Sequence, residues 1–208
     1  KCADDFDAAK HAVAVENMDV LDRWALHQTA KLIEECTQAY EAYEFHTVYQ
    51  KIAQFTAVQL SAIYHDVVKD RLYTDAAGSP RRRATQTALY RIVTRLCQML
   101  SPILTFTADE AWSYAKTNQE YSPESIHLQD WPVAPAEWKN DILATEMASR
   151  LKYRTFVNEA IEPLRAAGKL GKSLDAIVTF RAAMVEHELH AVGLERTVLS
   201  ELFIVSDV

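Results

Sequence analysis

The chain has 208 residues, of which 49% are hydrophobic and 25% charged, a balance typical of a globular protein with a real core. Four glycines and six prolines are too few for the many tight turns of a β-sandwich or barrel, and no run of about eighteen apolar residues predicts a membrane span. The net charge of −7 argues against indiscriminate nucleic-acid binding but leaves room for a local basic surface.

The cysteines and the first residues indicate a cytoplasmic protein. Cys2, Cys36 and Cys97 form no close pair, so we expect a reducing environment and neither a disulfide framework nor a zinc site. The start of the chain lacks the basic and apolar regions of a signal peptide. It also lacks an initiator Met, so we expect the chain to be a piece of a longer protein.

Apolar residues recur at helical spacing through residues 18–116, after an irregular lead-in at 1–17. Asp19 is the expected N-cap of the first helix. A second helix is predicted to begin near Phe45 and to run, with a bend, to Tyr73.

The third helix is expected to begin at Ser79 and Pro80, an N-cap followed by proline at the first helical position, and to stop before Pro102. A capping box at 107–110 predicts a short fourth helix. Because long helices joined by tight connections pack as antiparallel neighbours, residues 18–116 are predicted to form a four-helix bundle.

The rest of the chain is predicted to contain one more long helix. Residues 117–136 are polar and rich in proline, so we expect a connecting loop there. A long helix is predicted over 137–168, with a bend at Pro163, whose ring removes a backbone hydrogen bond, and with Gly168 as its C-cap.

The sequence pattern changes after this helix. Alternating apolar residues predict a strand within 173–181, a short helix is expected at 185–192, and an apolar β-branched run fills 202–205. We therefore predict a small strand–helix–strand appendage at 169–208.

The sequence contains no recognisable catalytic or metal-binding arrangement. Residues 166–173, AAGKLGKS, approach a phosphate-binding loop, but a helix precedes them and a strand follows, the reverse of what that loop needs. His187 and His190 alone share a close spacing, and we interpret them as surface residues of a short polar helix. No nucleophile is paired with a base, so we predict no catalytic residue and no metal ligand.

Basic residues cluster at two predicted helix ends. Lys69 and Arg71 lie in a last turn, where cations suit the helix dipole, and where they can also hold a nucleic-acid backbone or read a base. Arg81, Arg82 and Arg83 stand at a helix start, where cations oppose the dipole. A phosphate backbone would explain that run, and so would a disordered, solvated turn.

Six blocks follow one another in order: MDVLDRWAL at 18–26, AYEAYEFHTVYQKI at 39–52, YHDVVKDRLY at 64–73, LSPILTFTADEAW at 100–112, HLQDWP at 127–132 and GKSLDAIVTF at 171–180. Together they resemble the anticodon-binding region of bacterial-type isoleucyl-tRNA synthetase, a class I enzyme, over nearly the whole chain. The block at 100–112 and the order of the helices are shared with the valyl and leucyl relatives, whereas the blocks at 64–73 and 171–180 favour isoleucine.

The resemblance implies a mainly α fold, an antiparallel helical bundle of the class I anticodon-binding type with a small C-terminal α+β appendage. It implies that this bundle docks beside the catalytic domain of the same polypeptide and grips the anticodon stem and loop of tRNA(Ile). The predicted tRNA-binding residues are Lys69, Arg71, Arg23, Trp24, Arg81 and Arg82.

These six residues match the family unequally. Lys69 and Arg71 match its KDR block, and Lys69 is the first candidate for touching the anticodon. Arg23 and Trp24 match its DRW block, which in the family lies near the seam with the rest of the enzyme. By its own pattern, Trp24 fits core or interdomain packing as well as base stacking.

The resulting hypothesis is a tRNA-recognition module without chemistry or a cofactor of its own. The parent enzyme would use ATP with Mg²⁺ to charge tRNA with isoleucine, and would carry zinc in a cysteine-rich segment missing from this chain. One alternative is a helical protein–protein interaction bundle, which the net charge of −7 suits. The other is the corresponding module of a valyl- or leucyl-tRNA synthetase.

Overall fold

The computed structural model describes residues 4–115, 125–179 and 196–208. These residues are mainly helical, as predicted, and the chain divides into two compact units, Lys1–Asn140 and Asp141–Val208. No β-sheet occurs in the three described stretches.

The first unit is built on four long rods. Their helices are α1 (Ala8–His11), α2 (Val20–Glu41), α3 (Phe45–Gln54), α4 (Asp66–Thr74), α5 (Pro80–Leu100) and α6 (Thr105–Ala115), and the π-helical segment Phe55–His65 joins α3 to α4 in one continuous rod. The bend expected in the second helix is thus a change of helical pitch.

Hydrogen bonds between the rods define their directions. The Tyr64 hydroxyl, late in the second rod, donates to Asp22, early in α2, at 2.6 Å, so these rods are antiparallel. The Tyr40 hydroxyl near the end of α2 donates to the carbonyl of Met99 near the end of α5 at 2.8 Å, so α2 and α5 run in the same direction. The predicted antiparallel bundle of sequential neighbours is confirmed.

The predicted helix starts are borne out in part. Ser79 caps α5 by accepting a bond from the amide of Arg82, with Pro80 at the first helical position. Helix α6, however, begins at Thr105 rather than at the capping box predicted for 107–110. The reason is a tight turn out of α5, in which the amide of Leu104 donates to the carbonyl of Leu100 at 2.7 Å.

The lead-in expected to be irregular contains α1 and a 3₁₀ turn at Val15–Asn17. Asp7 caps α1 by accepting a bond from the amide of Ala9 at 3.0 Å. Phe6 is buried, with its ring 6.0 Å from that of Tyr90 on α5. Burial of the Phe6 side chain stabilises the packing of residues 4–17 against α5. The local sequence pattern gave no indication of this packing.

The second unit holds α7 (Asp141–Ala166) and α8 (Arg196–Phe203). Helix α7 starts later than predicted because a separate 3₁₀ turn occupies Ala136–Trp138. Gly168 ends it as expected, with a φ of +67° that favours glycine.

The predicted strands of the appendage are not formed in the described residues. Leu202 and Phe203, expected in a β-branched run, belong to α8 because Leu199, Leu202 and Phe203 recur at helical spacing and are all buried. Extended pairing is limited to a parallel bridge between Ile177 and Asp207. The helix predicted at 185–192 lies outside the described residues.

Candidate nucleic-acid interface

All six predicted tRNA-binding residues come from helix ends that meet at one end of the bundle. Helix α2 begins there, α4 ends and α5 begins, and we call this the Lys69 end. At the opposite end, α2 ends, α3 begins, α5 ends and α6 begins; we call this the Phe106 end.

Lys69 is accessible. Its side chain is 47% exposed, and its ammonium group lies 2.8 Å from the carboxylate of Asp66, one turn earlier on the same helix and 38% exposed itself. An ion pair between exposed groups stabilises a protein by about 1 kcal/mol or less. The ammonium group can therefore exchange this partner for a phosphate at little cost.

Arg71 is not accessible, so the prediction that it offers its charge to tRNA is not supported by its position. Its side chain is 3% exposed and lies 2.9 Å from the carboxylate of Asp19 and 3.3 Å from that of Asp22. Residues 69 and 71 point about 200° apart around a helix axis, so one faces solvent when the other faces the core. Arg71 therefore pairs with the buried Asp22 and with Asp19, whose side chain is about half exposed.

Asp22 is the acidic centre of this buried network. It is completely buried, and it accepts hydrogen bonds from the Tyr64 hydroxyl at 2.6 Å and from the Thr85 hydroxyl at 3.1 Å. Burial raises the pKa of Asp22 to about 6, against the opposing effects of the Arg71 charge and of these hydrogen bonds. The sequence showed Asp22 only as an acid in the first turn of a helix, with no signal that it is buried.

The DRW block divides between surface and core. Trp24 is 4% exposed, so it packs in the core, which was one of the two open interpretations. Its indole has no surface on which a base could stack. Arg23, one residue earlier, is partly exposed at the Lys69 end.

Arg81 is the second accessible cation at this end. Its side chain is 46% exposed, and its guanidinium group pairs with both oxygens of Asp75, at 3.0 Å from Nε and 2.9 Å from a terminal nitrogen. Hydrogen bonding from Arg81 is the main cause that holds the pKa of Asp75 below its ordinary value.

Arg82 and Arg83 are held by the lead-in. Arg82 is buried and makes two bonds, at 2.6 and 2.9 Å, to the carboxylate of Asp5, which Arg83 also approaches at 3.3 Å. Hydrogen bonding from Arg82 is the main cause that lowers the pKa of Asp5 to about 2. Neither explanation considered for this basic run applies to Arg82: a carboxylate of the same chain, 77 residues away, neutralises it.

No cluster of three or more His, Cys, Asp or Glu side chains able to hold a metal ion occurs in residues 4–115, 125–179 and 196–208. Cys36 and Cys97 are buried, and burial raises the pKa of each thiol. Across those same residues, no helix combines the length and the apolar character that a membrane span requires.

Comparison with known proteins agrees with the resemblance noted in the sequence. Residues 22–180 match the family model described as the anticodon-binding domain of tRNA ligase. The isoleucine–tRNA ligase of Syntrophomonas wolfei is 41% identical over 204 residues, which are 97% of this chain and 21% of that protein. The isoleucine–tRNA ligase of Moorella thermoacetica is 44% identical over 174 residues, 84% of this chain and 19% of that protein. The isoleucine–tRNA ligase of Desulfitobacterium hafniense is 40% identical over 207 residues, 98% of this chain and 22% of that protein. The chain thus spans about a fifth of the length of these relatives.

Proposed function

The chain belongs to the family of anticodon-binding domains of tRNA ligases, and we propose that it is the tRNA-recognition module of an isoleucine–tRNA ligase. The observation that carries this proposal is the family match over residues 22–180. Relatives named isoleucine–tRNA ligase align with nearly the whole chain. They support isoleucine as the amino acid that the parent ligase attaches to tRNA.

In this proposal the bundle of residues 18–116 binds the anticodon stem and loop of tRNA(Ile). The catalytic domain of the same polypeptide then charges the tRNA with isoleucine in the cytoplasm, using ATP with Mg²⁺. The bundle contributes binding energy and orientation, which lower the entropic cost of bringing the acceptor end to the reaction. A zinc site belongs to another segment of the parent enzyme.

The RNA is proposed to approach the Lys69 end. Lys69 and Arg81 flank the connection from α4 to α5, and both side chains are nearly half exposed. Lys69 pairs with Asp66 and Arg81 pairs with Asp75, so binding requires phosphates to compete with these carboxylates. Arg23 adds a third, partly exposed cation at the start of α2.

The buried members of the predicted set have a different role in this proposal. Arg71 ties the last turn of α4 to the start of α2, and Arg82 ties the start of α5 to the lead-in. They are positioning residues that hold the helix ends carrying Lys69 and Arg81. Trp24 supports the same end by packing in the core.

Titration of the protein with tRNA(Ile) at several salt concentrations tests the proposal. For Lys69→Ala we expect weaker binding and a logarithmic salt dependence shallower by about 0.7–0.9, the contribution of one phosphate contact. Lys31→Ala is the matched control, because Lys31 is a 63% exposed lysine that also has a single acidic partner within one turn. Its affinity and salt dependence should equal those of the original protein.

Two results would contradict this account. If Lys69→Ala binds tRNA as the original protein does while its circular dichroism is unchanged, Lys69 is not a contact. If the protein binds no tRNA, or binds it independently of salt while it captures a protein partner, the interaction-bundle alternative is favoured.

A further inference from the structure

A small pocket opens between α2 and the second rod, between the Lys69 end and the Phe106 end of the bundle. Its volume is about 170 Å³, and none of the six predicted tRNA-binding residues lines it. Lys31, Leu32 and Glu35 contribute one wall from a single face of α2. Pockets for drug-sized ligands have roughly 300–1,000 Å³, so this pocket has room for one ring-sized group.

The π-helical segment contributes the opposite wall. Phe55 and Gln59, both in the first half of this segment, line the pocket. Segments with π-helical hydrogen bonds are rare in proteins and are frequent at functional sites. Phe55 is buried, as is Leu32 on the α2 side, so a flat ring entering the pocket would meet apolar surface. The place of the pocket on the π-helical segment is a first reason to treat it as a binding site.

An amide group of the pocket is a second reason. The side-chain oxygen of Gln59 is buried and accepts no hydrogen bond within the described part of the chain. A buried acceptor without a donor costs free energy, which a ligand N–H group that reached it would recover. Gln28 and Gln54 bring two further amides to the lining. A primary amide both donates and accepts, and it matches the edge of a nucleobase, as in the bidentate pairing of glutamine with adenine.

Two lysines and one glutamate give the pocket its charge. The ammonium group of Lys51 lies 3.0 Å from the carboxylate of Glu35, and that of Lys31 lies 3.9 Å from it. The lining thus carries two positive charges and one negative charge, so one positive charge is not compensated within it. Both lysine side chains are substantially exposed, at 42% and 63%, and therefore stand at the open rim. An anionic group of a ligand is favoured there, outside the ring-sized interior.

We propose that this pocket binds a mononucleotide, with its base inside against the Gln59 amide and its phosphate at the rim between Lys31 and Lys51. A phosphate ion alone would leave the Gln59 oxygen without a donor, and a nucleoside would leave the lysines without an anion. A mononucleotide supplies both groups, one on each side of its ribose. The inference does not rest on the proposed function, since Lys31 lies about two turns beyond Arg23 along α2.

Calorimetric titration of the 208-residue chain with adenosine monophosphate (AMP) tests the proposal, with adenosine and inorganic phosphate titrated in parallel. Gln59→Leu removes the amide and nearly keeps its shape, and Lys51→Ala removes one cation of the rim. Because Gln59→Leu leaves no buried acceptor unpaired, its stability in urea should equal or exceed that of the original protein, which separates lost binding from lost folding. Lys10→Ala is the control, since Lys10 is a 75% exposed lysine paired with Asp7 outside the pocket.

We expect AMP to bind with a Kd of about 1 mM or lower, and about tenfold more tightly than adenosine or phosphate. Gln59→Leu should weaken AMP binding about tenfold, because the base loses a buried hydrogen bond. Lys51→Ala should weaken it about fivefold, as removal of a partly exposed charge pair does. Lys10→Ala should bind AMP as the original protein does.

Three results would overturn the inference. The first is no binding of AMP at about 10 mM. The second is equal affinity for AMP and phosphate that Gln59→Leu leaves unchanged, since only an adventitious ion would then occupy the rim. The third is weaker binding of tRNA(Ile) by Gln59→Leu, because a nucleotide of the RNA would then be the occupant. AMP binding without tRNA binding would count against the proposed function alone.

Discussion

Replacing Arg71 by methionine tests the claim that this residue acts inside the bundle. The substitution keeps a long, flexible side chain and removes only the charged head. Arg71 is 3% exposed and Asp22 is fully buried, with their charged groups 3.3 Å apart. Removing one member of a buried ion pair leaves an uncompensated charge, so near neutral pH we expect the free energy of unfolding to fall by about 3–5 kcal/mol.

The pH dependence of this loss follows from Asp22. Burial raises its pKa from 3.8 to about 6 in the native protein. In that interval the native state binds a proton that the unfolded state has released, so stability falls as the pH rises through it. Without Arg71, whose charge lowers this pKa, the native carboxyl holds its proton to higher pH. The deficit of Arg71→Met should therefore be smaller at about pH 5, where Asp22 is protonated in both proteins.

Urea unfolding followed by circular dichroism, near neutral pH and at about pH 5, measures both effects. Arg81→Met is the matched control, because it breaks an arginine–aspartate pair whose arginine is 46% exposed. That control should lose about 1 kcal/mol or less. The double variant Arg71→Met with Asp22→Asn should lose less than Arg71→Met alone, since it leaves no unpaired buried carboxylate. A deficit no larger than that of Arg81→Met, or one equal at both pH values, would refute the reasoning.

Three further predictions concern other parts of the fold. Hydrogen bonding, chiefly from Arg82, lowers the pKa of Asp5 to about 2, so this carboxylate stabilises the native state above its unfolded pKa and the contribution is lost as the pH falls from about 4 to 2. Asp5→Asn should therefore unfold with a weaker acid dependence in that interval, as measured by an acid titration of ellipticity. Ile126→Ala should lower the free energy of unfolding by about 2–4 kcal/mol, because Ile126 is 2% exposed in a cluster with Trp112 and truncation leaves a cavity; a loss below that of a surface substitution would contradict its burial. Gly168→Ala should cost about 1 kcal/mol in urea unfolding, because φ there is +67° with open space around the α-carbon, so only backbone strain acts.

Some features of the fold were predictable because they depend on neighbours in the chain. Ser79 and Pro80 start α5, and Gly168 ends α7, through bonds that reach only a few residues. The apolar faces of α2 and α5 follow from helical spacing in the same way. The order of the helices and the resemblance blocks then indicated the family, which the match over residues 22–180 confirms.

The candidate site was less predictable, because contacts between residues far apart in the chain decide which of its side chains are exposed and which are buried. Lys69 and Arg71 share a motif two residues apart, yet one is about half exposed and the other is buried against Asp22. The sequence around Arg82 gives no sign that this arginine is paired. Its partner, Asp5, lies 77 residues earlier, in the lead-in. No local pattern carries this information, since it depends on which helix covers which face.

The sequence by itself thus determined the long helices of the bundle, their order and the family of the chain, since hydrophobic periodicity, capping and motif blocks act over short stretches. Only the tertiary structure decided which cations remain at the surface. It also showed that the exposed Lys69 and Arg81 and the buried Arg71 and Arg82 lie at the same end of the bundle, each paired with a carboxylate. The physical reason is that charge and apolar area become a binding surface only after folding has neutralised or buried the rest.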